Sequence, residues 1–117
     1  MGFKFEKLII WQNAMEFGES IFKLSHKFPK DEMYNLSSQT GRAVDSVALN
    51  ISEGAIGQSG PEFKRFISFS IWSLAEVVTC LHKTRRREYI SEAEFKEHYE
   101  FAFNLTNRMI SFREKIK

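Results

Sequence analysis

The residues of this chain best suited to chemistry lie between Gln39 and Gly54, in QTGRAVDSVALNISEG. On a helix, Gln39, Arg42, Ser46, Asn50 and Glu53 recur at steps of three and four and form one polar stripe. Ala43, Val47 and Ile51 make an apolar stripe beside it. The polar stripe mixes an amide, a guanidinium, a hydroxyl and a carboxylate, a set that can form a hydrogen-bond network rather than a merely solvated face. Arg42 and Glu53 stand about 16 Å apart on the helical rise, so their partners must come from other helices, other subunits or a ligand. No base, nucleophile or metal-ligand set completes the stripe, and it reads as a network that sets helix register.

A second group is cationic. Lys83, Arg85, Arg86 and Arg87 crowd one end of an expected helix, and Lys64 and Arg65 stand at its other end. Such cations can neutralise nucleic-acid phosphates, and they can equally offset a helix macrodipole and keep a surface soluble. Repeated around an assembly, the same few charges would raise the local field with copy number.

Catalytic and metal-binding patterns do not form. Lys23, Thr79 and Phe95 stand three residues before His26, His82 and His98, so the Glu-x-x-His pairs of a di-metal carboxylate bundle are missing. Glu94 and His98 have the spacing of an exposed helix pair. Asp45 and Ser46 point to different helix faces, no serine occupies a strand-to-helix elbow, and Cys80 has no evident base. Gly54, Gly57 and Gly60 follow no strand and lead to no Gly-Lys-Ser/Thr, so they do not make a phosphate loop. The expectation is a protein without catalytic residues, metal or cofactor.

The elements that must position these groups are helical. A chain of 117 residues, with 43% hydrophobic residues and 12 Phe, is one domain with enough apolar surface for a core. A net charge of +2 permits an anionic partner without demanding one. No run of about 20 apolar residues could span a membrane, and the N-terminus lacks the pattern of a signal peptide. With a single cysteine, Cys80, read as a buried thiol, a reducing cytoplasmic location is expected.

The first helix is expected from Leu8 to about Lys27, with Trp11, Met15, Gly18, Phe22 and Ser25 on its core face and Ala14 and Ile21 widening it. Gly18 suggests close approach of a neighbour. Phe28-Pro29 ends this helix, and a short polar linker, Pro29 to Asn35, turns the chain back. The second helix runs from Leu36 or Ser37 to Glu53, with Gly54 as a C-terminal cap and Ala55 to Pro61 as the main loop. Ser59 and Glu62 have capping-box spacing, with Pro61 in the first turn of a third helix from about Gly60.

The third helix buries Phe63, Phe66, Ile67, Ser70, Leu74, Val77, Val78 and Leu81. Phe69 and Trp72 fall off that face and suggest a subunit or partner contact. Ser91 caps a fourth helix carrying Phe95, Tyr99, Ala102, Thr106, Met109 and Ile110, broadened by Phe101, Phe103, Leu105 and Phe112. No period-two alternation competes, and four helices with short loops predict an all-α, antiparallel up-down-up-down bundle.

Several of these residues carry a resemblance. Leu36-Ser37-Ser38-Gln39, Arg42-Ala43, Ser46, Asn50-Ile51-Ser52-Glu53-Gly54, Ser59, Glu62-Phe63 and Phe66, with Trp11-Gln12 and Phe28-Pro29 ahead of them, resemble the four-helix-bundle proteins encoded in intervening sequences of bacterial 23S ribosomal RNA. The resemblance covers about Leu8 to Ile90. It implies a pentameric assembly, and more distantly a likeness to RNA-associated accessory variability proteins of diversity-generating retroelements. The chain departs from that pattern at Thr40 and Gly41, where isoleucine and arginine are usual, and at Trp72, where glycine is usual.

Two functions are therefore expected to compete. One is a homo-oligomeric, non-enzymatic bundle that binds RNA or DNA through Lys64, Arg65, Lys83, Arg85, Arg86 and Arg87. The other is a protein-interaction scaffold anchored on Phe69 and Trp72.

Overall fold

Ile10, Ala14, Phe17, Ile21 and Leu24 step along the chain by four and three, and all are buried on one face of the first helix, α1 (Ile9–Ser25). Helix α2 (Leu36–Ala55), α3 (Gly60–Arg86) and α4 (Glu92–Lys115) complete the bundle, with 3-10 turns at Lys4–Lys7 and Lys30–Glu32. This computed structural model describes residues 1–57 and 59–117. Gln58, within the expected Ala55 to Pro61 loop, lies outside the described residues.

Cross-helix contacts give the directions. Ser20 of α1 meets His98 of α4, and Asn13 meets Arg108, so these helices run antiparallel. Ser46 meets Ser73, Val47 meets Ser70 and Gly54 meets Phe66, which makes α2 and α3 antiparallel. His82 packs against Phe95 while Arg113 reaches Ser68, setting α3 against α4 in the same sense. Helix α1 touches α2 and α4, α3 touches α2 and α4, and the diagonal pairs do not approach one another among the described residues. The result is an up-down-up-down bundle about 43 Å long.

Three sequence expectations are corrected. Met15 and Phe22 lie outside the core of α1, with Phe22 59% exposed. Two apolar seams of the same period run along this helix, and the neighbouring helices cover the one through Ile10, Phe17 and Ile21. Gly54 is no C-cap. It is buried inside α2, where a Cβ would come within 2.6 Å of the Phe66 Cβ. Its missing side chain lets α3 close on α2, whereas the space at Gly18 is open.

The third correction concerns the linker after Pro29, which is not simply polar and solvated. It folds into the Lys30–Glu32 turn with Glu32 buried. The Glu32 carboxylate accepts from the Tyr89 hydroxyl at 2.7 Å, the Arg87 guanidinium at 2.8 Å and the Asn35 amide at 3.1 Å. These bonds tie the α1–α2 connection to the end of α3. Glu88 there adopts φ 60°, and the Tyr89 N–H donates to the Thr84 carbonyl, a Schellman-type ending that aims Tyr89 at Glu32.

The expected caps form at both later helices. The Ser59 hydroxyl accepts from the Glu62 N–H, and Ser91 and Glu94 make a reciprocal capping box.

Candidate functional site

The six cations singled out by sequence do not form one patch. Lys64 and Lys83 are about 28 Å apart on the rise of α3. At the far end of that helix, the Arg85 guanidinium lies 3.9 Å from the Phe95 ring centroid and 3.7 Å from the Glu92 carboxylate. Arg87 is held by Glu32, which leaves Lys83 and Arg86 exposed without a bond among the described residues. At the near end, Lys64 is exposed, while Arg65 lies 3.6 Å from Glu62 and 5.4 Å from the Phe69 ring centroid.

The antiparallel fold brings other cations to Lys64 and Arg65. The C-terminal turns of α4 close over the start of α3: Phe112 packs edge-on against Phe63, Arg113 donates to Ser68 at 3.0 Å, and the Lys117 backbone lies against Gly60. Lys4 and Lys7 of the first 3-10 turn reach the same end, where Lys7, Arg108 and Lys115 line one groove. The acids there are Glu6, Glu53, Glu62 and Glu114. Of these, Glu62 pairs with Arg65, and the Glu6 carboxylate accepts from the Phe3 N–H. This end of the molecule is therefore predominantly basic. Its N- and C-terminal members were invisible to a search for local charge runs because they are far apart in sequence.

The same polarity marks the seam between α1 and α4. Its basic end is a groove of about 610 Å³ lined by Lys7, Leu8, Ile9, Ile10, Asn107, Arg108, Ser111, Phe112 and Lys115. The opposite end, about 580 Å³, is lined by Glu16, Glu19, Glu94 and Glu97 together with Lys23, Lys27, Ser20, Leu24 and His98. Glu94 pairs with Lys27 there and accepts from the Ser91 N–H. The lysine bond first, and then the backbone bond, hold its carboxyl down to about 2 from an ordinary 4.5. Glu32 is also held below the usual range, first by the Tyr89 hydroxyl, and that bond in turn raises Tyr89.

One hydroxyl–imidazole pair occurs in this acidic groove. Ser20 Oγ lies 2.9 Å from His98 Nε2, whose Nδ1 lies 2.7 Å from the Glu94 carbonyl. His98 is thus buried between α1 and α4, not part of the exposed pair with Glu94 that its spacing suggested. Ser20 sits mid-helix, where backbone N–H groups are bound to preceding carbonyls and cannot converge on a developing oxyanion. Among the described residues no cluster of three metal-ligating side chains forms, and no helix is long and apolar enough to cross a membrane.

The polar stripe of α2 contracts to a local network. The Asn50 amide donates to the Ser46 carbonyl at 2.9 Å and to its hydroxyl at 2.8 Å, and Ser73 donates to the same hydroxyl at 2.9 Å. Gln39 is half-buried, while Arg42 and Glu53 are exposed; all three stand outside this network among the described residues.

Phe69 is half-buried between Phe66 and Trp72, at centroid distances of 5.8 and 5.6 Å, and Trp72 is 62% exposed. Two further apolar surfaces face outward. Met15, Gly18, Ala48 and Leu49 line a groove between α1 and α2, with Phe22 one turn beyond. Phe95, Tyr99 and Phe103 stack along the α3 flank of α4.

The family model of the 23S rRNA-intervening sequence protein matches residues 6–111. A crystal structure of a protein with unknown function from the S23 ribosomal protein family of Bacteroides thetaiotaomicron superposes with a TM-score of 0.84 at 20% sequence identity. The match covers 92% of this chain and 100% of that one, and at this identity it speaks for the fold. No curated protein matches the chain. Because the family model runs from the first 3-10 turn into the last turns of α4, over the same bundle, this chain belongs to the 23S rRNA-intervening sequence protein family.

Proposed function

We propose that this chain is a non-enzymatic, cytoplasmic, homo-oligomeric protein that binds nucleic acid, RNA foremost, on the basic end of its bundle. One observation carries the reading. Cations from the N-terminal turn, the start of α3 and the end of α4 gather at one end, while two arginines of the Lys83 to Arg87 run are engaged within the fold. Phosphate contacts from several cations make affinity fall steeply with salt.

Assembly supports the reading through geometry. The α1–α2 groove and the α4 aromatic column lie on opposite faces of the bundle, because α1 and α3 are diagonal. Two different apolar surfaces on opposite faces suit a head-to-tail contact that closes into a ring, such as the pentamer implied by the family resemblance. A ring would repeat the basic end around its rim. Trp72 favours a second reading, a protein partner seated on the Phe66–Phe69–Trp72 ridge.

Fluorescence anisotropy with a structured RNA tests the first reading. Binding at micromolar protein in low salt, lost steeply as salt rises, is the expected result. Absence of binding in low salt overturns it.

A further inference from the structure

Within that basic end, the groove between α1 and α4 has a composition that a simple phosphate-binding surface does not need. Lys7, Arg108 and Lys115 surround it with no acid in its lining, and its floor is apolar, with Ile9 exposed and Phe112 half-buried. The Asn107 amide and Ser111 hydroxyl stand beside that floor. Arg108 uses one Nη to bond the Asn13 side chain at 3.0 Å, which fixes the guanidinium and leaves its other donors for a ligand.

We propose that this groove is a nucleotide site, which takes one unpaired base against Ile9 and Phe112 and the flanking phosphates on Lys7, Arg108 and Lys115. The proposal rests on the reading that the basic end binds nucleic acid, and it makes the preferred ligand single-stranded. About 610 Å³ falls within the usual range for small-ligand pockets, and a few polar groups converging on an apolar floor are their usual make-up. Arg108 and Lys115 are two turns apart, about 10 Å on the helical rise, within reach of successive phosphates of one strand. An acyl anion would suit the cations and the floor but would leave Asn107 and Ser111 unused, whereas the edge of a base carries donors and acceptors for both. The site lies on the α1–α4 face, away from both apolar surfaces invoked for assembly, so a ring leaves it open.

The test is a pair of NMR titrations of the full chain, one with adenosine monophosphate and one with inorganic phosphate. Adenosine monophosphate is expected to shift the resonances of Ile9, Asn107, Ser111 and Phe112, and phosphate to leave these unmoved. Ile9→Glu, at an exposed first-turn position that tolerates a carboxylate, should abolish those shifts. It should also weaken a short single-stranded RNA about tenfold, the scale of one lost stacking contact. Ile9→Ser should retain the phosphate contacts and lose the base-dependent shifts, which separates stacking from charge. Equal responses to the two titrants overturn the nucleotide site. If structured RNA still binds in that case, the broader reading stands; if the groove shifts appear and no RNA binds, the broader reading falls and the nucleotide site remains.

Discussion

Arg87 belongs to the densest run of positive charge in the chain, yet its guanidinium is 2.8 Å from Glu32, 55 residues away. Sequence spacing reports charges on one helix, not the acid that a distant turn will bring to them, and for that reason the Arg85 and Arg87 contacts were not legible. The same limit hid Lys27 from Glu94. That pair carries a prediction about pH. The Glu94 carboxyl titrates at about 2 in the folded protein against an ordinary 4.5, so the unfolded chain binds the proton more tightly. The stability it contributes is complete above about pH 4.5 and is lost as the pH falls toward 2, with Glu32 acting in the same direction. Thermal melts across that window should show a falling Tm for the natural chain and a flatter profile for Glu94→Gln. Parallel profiles would remove Glu94 from the account.

At the scale of elements, all four helices and their starts at Ser59 and Ser91 were readable, because caps and apolar periodicity are local signals. Faces and ends were less so. On α1, the seam through Trp11, Met15 and Phe22 and the seam through Ile10, Phe17 and Ile21 share one period, and only the packed neighbours decide between them. Gly54 resembled a helix stop because glycine serves both as a cap and as a gap for a crossing helix, and the second use applies. Gly54→Ala should therefore destabilise the protein by about 1–3 kcal/mol, the cost of overpacking, despite the better helix propensity of alanine. Chemical denaturation measures this; an unchanged or higher midpoint would mean that α3 yields to the extra methyl. The stripe on α2 was right as a pattern but too long as a network: Ser46 and Asn50 are joined through Ser73 of α3, a partner no intrahelical spacing could name. Asn50→Leu should cost about 1 kcal/mol, the net worth of an ordinary hydrogen bond, read in the same denaturation experiment.

At the scale of the molecule, the antiparallel bundle turns chain order into a charge gradient. The end that holds Lys4, Lys7, Lys64, Arg113 and Lys115 is rich in cations, and the end that holds the arginine run balances them with Glu32, Glu92 and Glu94. The assembly prediction belongs here as well. Gly18 borders the α1–α2 groove with open space where a Cβ would stand, so Gly18→Leu should leave the bundle folded while filling the groove. Light scattering should then show a smaller species than the natural chain forms, and identical masses would exclude this groove from the contact. The central claim is that the end bearing the termini, not the arginine run, meets the phosphates. Its most direct measurement is the RNA affinity of two charge reversals, Lys64→Glu with Lys115→Glu at one end and Lys83→Glu with Arg86→Glu at the other. The first pair should lower affinity at least about tenfold at low salt and reduce the salt slope by about two, and the second should change affinity by no more than about twofold. Equal losses from both pairs, or a larger loss from the second, would contradict it.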